Sequence, residues 1–366
     1  MHTGIWCRET KRRNHGFRNA NVEIVELLRD DFFRNHPMAV KRPDIRARIE
    51  AYRRICDECP ADESLVATRR ALSDRHYLLV SKAAELAGER LLYDVESELS
   101  AAYSRFLTDP VKRDPNCIAK GAIVRALVAL DYQDADFYLA GIRYRQLEPV
   151  WGGTVDTAVD LRISCATGLA TTSYPRALIH LVELLHDPEP HARSGAIRAI
   201  VCTERLSAEV VLRSKALTGD EEAEVFGDCL SALLQVAPDD ALAFVASFLE
   251  DADPTRSALA ALALGESRLD AALDLLRNRW EEQPFKRDLD RVLLRAAVLH
   301  RSEAAFDWLL EVVECGDRAS AELIIVELAA YRANQRLSER LERLIRERGD
   351  ESLRKGYEQI WSSSEN

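Results

Sequence analysis

The sequence predicts an all-α protein, a right-handed α-solenoid of stacked antiparallel helix pairs with a helical cap at each end. Three observations predict it. Apolar residues recur three and four apart in nearly every segment, the spacing of a helix with one buried face. The 366 residues are 47% hydrophobic and 30% charged with only 15 Gly and 12 Pro, the balance of a folded, helix-rich chain rather than a disordered one. Finally, one unit recurs from about residue 109 onward: an apolar helix, a turn carrying Asp or Pro, and a second helix rich in Ala, Gly and Leu. Such a unit cannot bury its apolar face alone and must stack on its neighbours.

Four domains follow in order. Residues 1–20 read as a disordered basic segment. Residues 21–108 read as a helical N-terminal cap, in which Pro43 and Asp44 open a helix carrying Ile45, Ile49, Tyr52 and Ile55 at helical spacing. Residues 109–348 form the repeat array, whose clearest second helices begin at "DPNCIAKGAIVRALVAL", "DTAVDLRISCATGLA", "DPEPHARSGAIRAIV" and "DADPTRSALAALAL", with fainter copies near Glu221, Asp288 and Asp317. In each, Asp or Asp-Pro suits the turn and first helical position, and Gly121, Ala122, Ala166, Gly195, Ala196 and Ala258 let neighbouring helices approach. The array closes on "LSERLERLIRERG", where Leu337, Leu341, Leu344 and Ile345 share a face. Residues 349–366 read as a tail that either docks through Tyr357 and Trp361 or frays.

Three copies place a basic residue six positions after the Asp: Asp114 with Lys120, Asp156 with Arg162, and Asp187 with Arg193. Small residues and then Leu, Ile or Val follow each pair. This resembles the second-helix pattern of HEAT repeats. The resemblance covers roughly residues 109–348 and implies stacked helix pairs with a ladder of Asp–basic pairs, and a scaffold or adaptor role in most such arrays, an enzymatic one in some.

Charge narrows the partners. The net formal charge is −11, but residues 1–54 hold 13 Lys or Arg against seven Asp or Glu, so the remainder is strongly acidic. An acidic body disfavours nucleic acid, whose phosphates are held by Lys and Arg. No run reaches the roughly 18 apolar residues of a membrane span, and the basic N-terminus has no apolar core of a secretory signal behind it. Cytoplasm and reduced thiols are expected for the eight cysteines, most of which sit among apolar residues as in "RISCATGL" and "FGDCLSALL".

No catalytic, metal or cofactor site emerges. Cys56 and Cys59 form "CDEC", yet Cys7, His15 and His76 supply no second pair of ligands. No G-x-S-x-G, P-loop, G-x-G-x-x-G or H-E-x-x-H is present. None of the eight histidines is followed by Glu, which removes the His-Glu ligand pairs of HEAT-like di-iron hydroxylases. Phe137, Tyr138, Arg143, Tyr144, Arg145 and Trp151 offer aromatic and basic groups of the kind that HEAT-like alkylpurine DNA glycosylases use, but Phe137 and Tyr138 read more simply as first-helix core. HEAT-like bilin lyases are a further precedent for which no local motif speaks. The charge run "LTGDEEAEVFGD" reads as a solvated turn.

One stretch stands apart. Lys120 to Arg162 spans 42 residues where Arg162 to Arg193 spans 31, and the surplus falls on "RYRQLEPVWGG". Extra residues in a solenoid form loops on one edge, where partners bind. Arg143, Tyr144, Arg145, Glu148 and Trp151 are therefore the candidate partner-binding residues. The plainer expectation is that Trp151 folds back over the groove between two repeats while Arg145 or Glu148 pairs locally. The function expected is a non-catalytic protein–protein scaffold or adaptor; the alternative is a HEAT-like enzyme acting on nucleic acid or on a bilin.

Overall fold

The computed structural model describes residues 44–282 and 288–361. The segments 1–20 and 21–43, and with them Cys7 and His15, lie outside the described residues. The chain divides at Leu184 and Leu185 into two compact units, each built of helices packed in sequential pairs.

The first unit comprises α1 (Ile45–Glu58), α2 (Ala61–Leu72), α3 (Tyr77–Glu89), α4 (Glu96–Phe106), the single turn α5 (Pro110–Arg113), α6 (Ile118–Ala129), α7 (Ala135–Ile142), strands β1 (Leu147–Val150) and β2 (Gly153–Asp156), α8 (Val159–Thr171) and α9 (Ala177–Leu184). Alternate helices stack, α3 on α6 and α6 on α8, while α2 packs on α4. Helix α6 lies in the middle of this row, and eight of its 12 residues are buried, so it is apolar on nearly every side. Close approach is set by small residues: a Cβ at Gly88 of α3 would stand 3.1 Å from the Cα of Ala126 in α6, and one at Gly168 of α8 would overlap the ring of the fully buried Tyr138. In α1, Tyr52 and Ile55 are buried and the Tyr52 hydroxyl meets Thr68 Oγ1 at 3.0 Å.

The second unit comprises α10 (Pro190–Val201), α11 (Arg205–Thr218), α12 (Ala223–Val236), α13 (Pro238–Ser247), α14 (Pro254–Ser267), α15 (Asp270–Glu281), α16 (Asp288–His300), α17 (Glu303–Cys315), α18 (Arg318–Leu328), α19 (Gln335–Arg348) and α20 (Glu351–Trp361). Here α10, α12, α14, α16, α18 and α20 stack in turn, with α13 on α15 and α17 on α19 as the second row. The expected turn chemistry is present: Asp253 Oδ1 accepts the Thr255 amide at 2.8 Å ahead of Pro254, and Asp317 Oδ1 accepts the Ser320 amide at 2.9 Å. Each cap satisfies an amide the helix leaves without a partner. The close approach in α14 falls on Gly265, where a Cβ would overlap the Ala296 carbonyl of α16, rather than on Ala258, which is only half-buried. The described part of the C-terminal tail, residues 349–361, docks rather than frays. It forms α20, which buries Leu353 and directs Trp361 Nε1 to the Ile325 carbonyl at 3.1 Å.

The surplus residues after α7 differ from the expected loop, because they fold as a β-hairpin. β1 and β2 pair antiparallel from Leu147 opposite Asp156 to Val150 opposite Gly153. Trp151 and Gly152 form a two-residue turn in which Gly152 has φ 88°, the sign that a type II turn demands at its second central position. Pro149 is tolerated because a two-stranded sheet has only edges.

Candidate functional site

The hairpin stands on a buried polar cluster at the start of α6 and α8. Asp114 is fully buried and accepts from three donors: the Ala119 amide at 2.7 Å, the Lys120 amide at 3.0 Å and Lys120 Nζ at 2.8 Å. It thus caps α6 and pairs with the fully buried Lys120 at once, which is how an ion pair removed from water offsets its desolvation. Lys120 Nζ also lies 5.7 Å from the Tyr144 ring centroid, within the range of a cation–π contact. The approach to α6 is strained: Asn116 and Cys117 both adopt left-handed backbone, with φ 57° and 55°, costly for residues with a Cβ unless neighbours hold them there.

The Cys117 amide is held by the Asp114 carbonyl at 3.2 Å, and the Asn116 amide by Glu148 of β1. Its Oε1 accepts the Asn116 amide at 2.7 Å, Gln146 Nε2 at 2.7 Å and Thr157 Oγ1 at 2.8 Å. Burial alone would raise the Glu148 carboxyl, but hydrogen bonds from Gln146, Thr157 and the Asn116 amide outweigh it and hold the group below the ordinary carboxylate range. Gln146 links the two halves, donating to the Asp114 carbonyl at 2.9 Å and accepting from Tyr144 Oη at 2.9 Å. At the end of β2, opposite Leu147, Asp156 accepts the amides of Gln146 and Ala158, at 3.1 and 3.0 Å, and Arg162 Nη1 at 2.6 Å. Burial raises this carboxyl too, and the two amides together with Arg162 reverse the shift. Arg162, 1% exposed, also donates to the Tyr144 carbonyl at 3.1 Å.

The tip is the opposite of the root. Trp151 is 104% exposed, and Leu147, Val150 and Val155 are exposed beside it. The expected folding back of Trp151 does not occur. A two-residue turn points its side chains away from the body, and a rigid hairpin leaves no slack for the indole to return. The local pairing is present, with Arg145 Nη1 3.4 Å from Asp156 Oδ2. Arg143 is solvated and reaches Glu183 Oε2 at 3.2 Å and His180 Nδ1 at 3.1 Å. Of the five candidate residues, Arg143, Arg145 and Trp151 are exposed, Tyr144 is half-buried, and Glu148 faces into the root.

The ladder residues separate in the same way. Lys120 pairs with Asp114 and Arg162 with Asp156 inside the first unit. In the second unit Arg193 donates to the Asp187 carbonyl at 2.9 Å, while its bidentate carboxylate partner is Asp220, at 2.9 and 2.7 Å. Asp220 also takes Lys215 Nζ at 2.7 Å. Burial would raise Asp220, but Arg193 and Lys215 hold it well below the usual range. The charge run at 217–228 is therefore solvated at Glu221 and Glu222 but structural at Asp220. The missed signal was its position: Asp220 precedes the next second helix, α12, where the pattern places an Asp.

Cys56 is buried in α1 and Cys59 half-buried at its end. Among the described residues no group of three or more His, Cys, Asp or Glu is placed to hold a metal ion. Nor is any helix among them long and apolar enough to cross a membrane.

No family model and no curated protein matches this sequence. One solved structure that it resembles is the complex of CpcE and CpcF of phycocyanin lyase from Nostoc sp. PCC7120, at 16% identity and a TM-score of 0.31, covering 82% of this chain and 98% of that one.

Proposed function

We propose that this protein is a non-catalytic interaction module in which the 147–156 hairpin presents Trp151 to a pocket on a partner protein. The observation that carries the reading is the full exposure of Trp151 at the end of a hairpin whose root is locked by a buried hydrogen-bond network. A lone exposed indole forgoes the apolar burial that Trp gains in a core. Trp and Arg are the residues most enriched among those that dominate binding energy, and a rigid platform spares the entropy of ordering them on association. Arg143 and Arg145 lie exposed at the root of the hairpin, where they suit acidic groups on a partner that reaches past the tip. Glu148, Asp114 and Lys120 support the hairpin without touching the partner.

A photo-crosslinking residue at the exposed Val150 beside the tip, compared with one at the exposed Val210 of α11, tests this in the native cell. The expected result is a protein captured from position 150 alone, whose affinity for the purified chain falls at least tenfold with Trp151→Ala. Equal affinity of that variant would sink the proposal. At a TM-score of 0.31 the likeness to the phycocyanin lyase complex carries no weight for an activity, and a bilin-transfer assay is the direct test of that alternative. Salt-dependent DNA binding is the corresponding test of the nucleic-acid alternative.

A further inference from the structure

A second feature of the first unit lies away from the hairpin tip. A cleft of about 580 Å³ opens where the α2–α3 turn faces the end of α4 and the single turn α5, and its walls include Arg75, His76, Arg105, Lys112 and Arg113. In a chain of net charge −11 this is a local concentration of cations. Of the two carboxylates in its lining, Asp74 is already committed, paired with Arg48 and accepting the His76 amide at 2.8 Å. Asp109 is the other. Arg105 is fixed rather than floating: it is half-buried and donates to the backbone carbonyls of Leu72 and Asp74, at 2.6 and 3.2 Å. Those acceptors are neutral, and the nearest carboxylate, Asp74, is shared with Arg48.

Arg75, Lys112 and Arg113, by contrast, are exposed and make no side-chain hydrogen bond or ion pair among the described residues. His76 Nδ1 accepts the Leu78 amide at 3.3 Å, which leaves Nε2–H as the donor of that ring. Tyr77 and Phe106 supply an apolar wall. The volume matches a small-molecule site, within the roughly 300–1,000 Å³ such sites span. Charge-assisted donors that line one cleft from three elements suit an oxyanion ligand, because guanidinium forks bind phosphate oxygens in pairs.

We infer that this cleft binds a compact organic phosphate, its oxyanion held by Arg75, Arg113 and Lys112 and its organic part laid against Tyr77 and Phe106. Arg105 contributes the fixed positive field at the floor, where low dielectric strengthens it. The site is independent of the hairpin proposal, since Trp151, Arg143 and Arg145 form no part of it.

Isothermal titration of the full chain with inorganic pyrophosphate and with adenosine triphosphate tests the inference, with citrate as a polycarboxylate of similar charge. The expected result is saturable binding of both phosphates, tighter for the nucleotide, weakened at least tenfold in an Arg75→Gln, Arg113→Gln variant. Because both residues are solvent-exposed, that variant is expected to keep the circular dichroism and melting midpoint of the parent, which separates loss of binding from loss of fold. Absence of saturable binding by either phosphate would overturn the inference, as would full retention of binding in the variant. Citrate bound as tightly as pyrophosphate would overturn the phosphate assignment in favour of a carboxylate ligand.

Discussion

Cutting the hairpin at its tip and at its root should have opposite consequences, and the structure gives the size of each. Trp151→Ala removes an indole that is 104% exposed, so no buried area is lost and stability should change by less than about 0.5 kcal/mol, as at other solvated positions. A packed Trp would instead cost roughly 3–5 kcal/mol. Glu148→Ala removes the acceptor of three donors, and each donor left without one costs about 1–3 kcal/mol when buried. Two of the three retain an acceptor, because Gln146 Nε2 still reaches the Asp114 carbonyl and Thr157 Oγ1 still reaches the Gln146 carbonyl at 3.3 Å. The loss therefore concentrates on the Asn116 amide, in the left-handed pair before α6, and because Asn116 is itself exposed it should total about 1–1.5 kcal/mol. Glu148→Gln keeps a carbonyl oxygen in place and should recover most of it. Thermal melts of the three variants, with acrylamide quenching of the parent and of Trp151→Phe to count the accessible indole, measure both ends. A Trp151→Ala protein as destabilised as Glu148→Ala would refute the reasoning, since it would require the indole to be packed.

Acid should weaken the second unit through Asp220. Its folded pKa lies below the unfolded value of about 3.9, so it contributes stability that is full above that value and is lost as pH falls below it. Asp220→Asn should lower the melting midpoint at pH 7 and flatten its acid dependence; an unchanged slope between the two proteins below pH 4 would count against the pairing with Arg193 and Lys215. Gly265→Ala should destabilise by about 1–3 kcal/mol, because the added methyl meets backbone rather than a movable side chain; a neutral result in denaturant titration would mean that α14 and α16 can separate freely. Thiol alkylation mapped by mass spectrometry should modify the exposed Cys202 and Cys315 well before the buried Cys117, Cys165 and Cys229. Burial also pushes the Cys117 and Cys229 thiols up to about 12, which suppresses the reactive thiolate at neutral pH. Early labelling of Cys165 would contradict its place in the core.

Helical spacing, small residues and Asp-led turns were enough to place the second helices: the copies expected from Asp114, Asp156, Asp187 and Asp253 open α6, α8, α10 and α14. These signals are local, because an N-cap and an apolar stripe need only the residues of one helix and its neighbour. The pairs Asp114–Lys120 and Asp156–Arg162 were legible for the same reason, both partners lying within one turn of a helix start. The surplus of residues before Arg162 marked where the array is interrupted. What fills the gap was not legible, since "LEPVWGGTVD" has no strong alternation and its two strands are held by Glu148 and Asp156 reaching the starts of other helices. Whether Trp151 packs or protrudes depends on the direction of a two-residue turn, and whether Arg193 meets Asp187 or Asp220 depends on which carboxylate stacking brings near. The basic cleft likewise joins Arg75 to Arg113, 38 positions apart in sequence. Sequence spacing determines which face of a helix is apolar and where the helix begins; charges and surfaces assembled from separate helices are decided only when those helices pack.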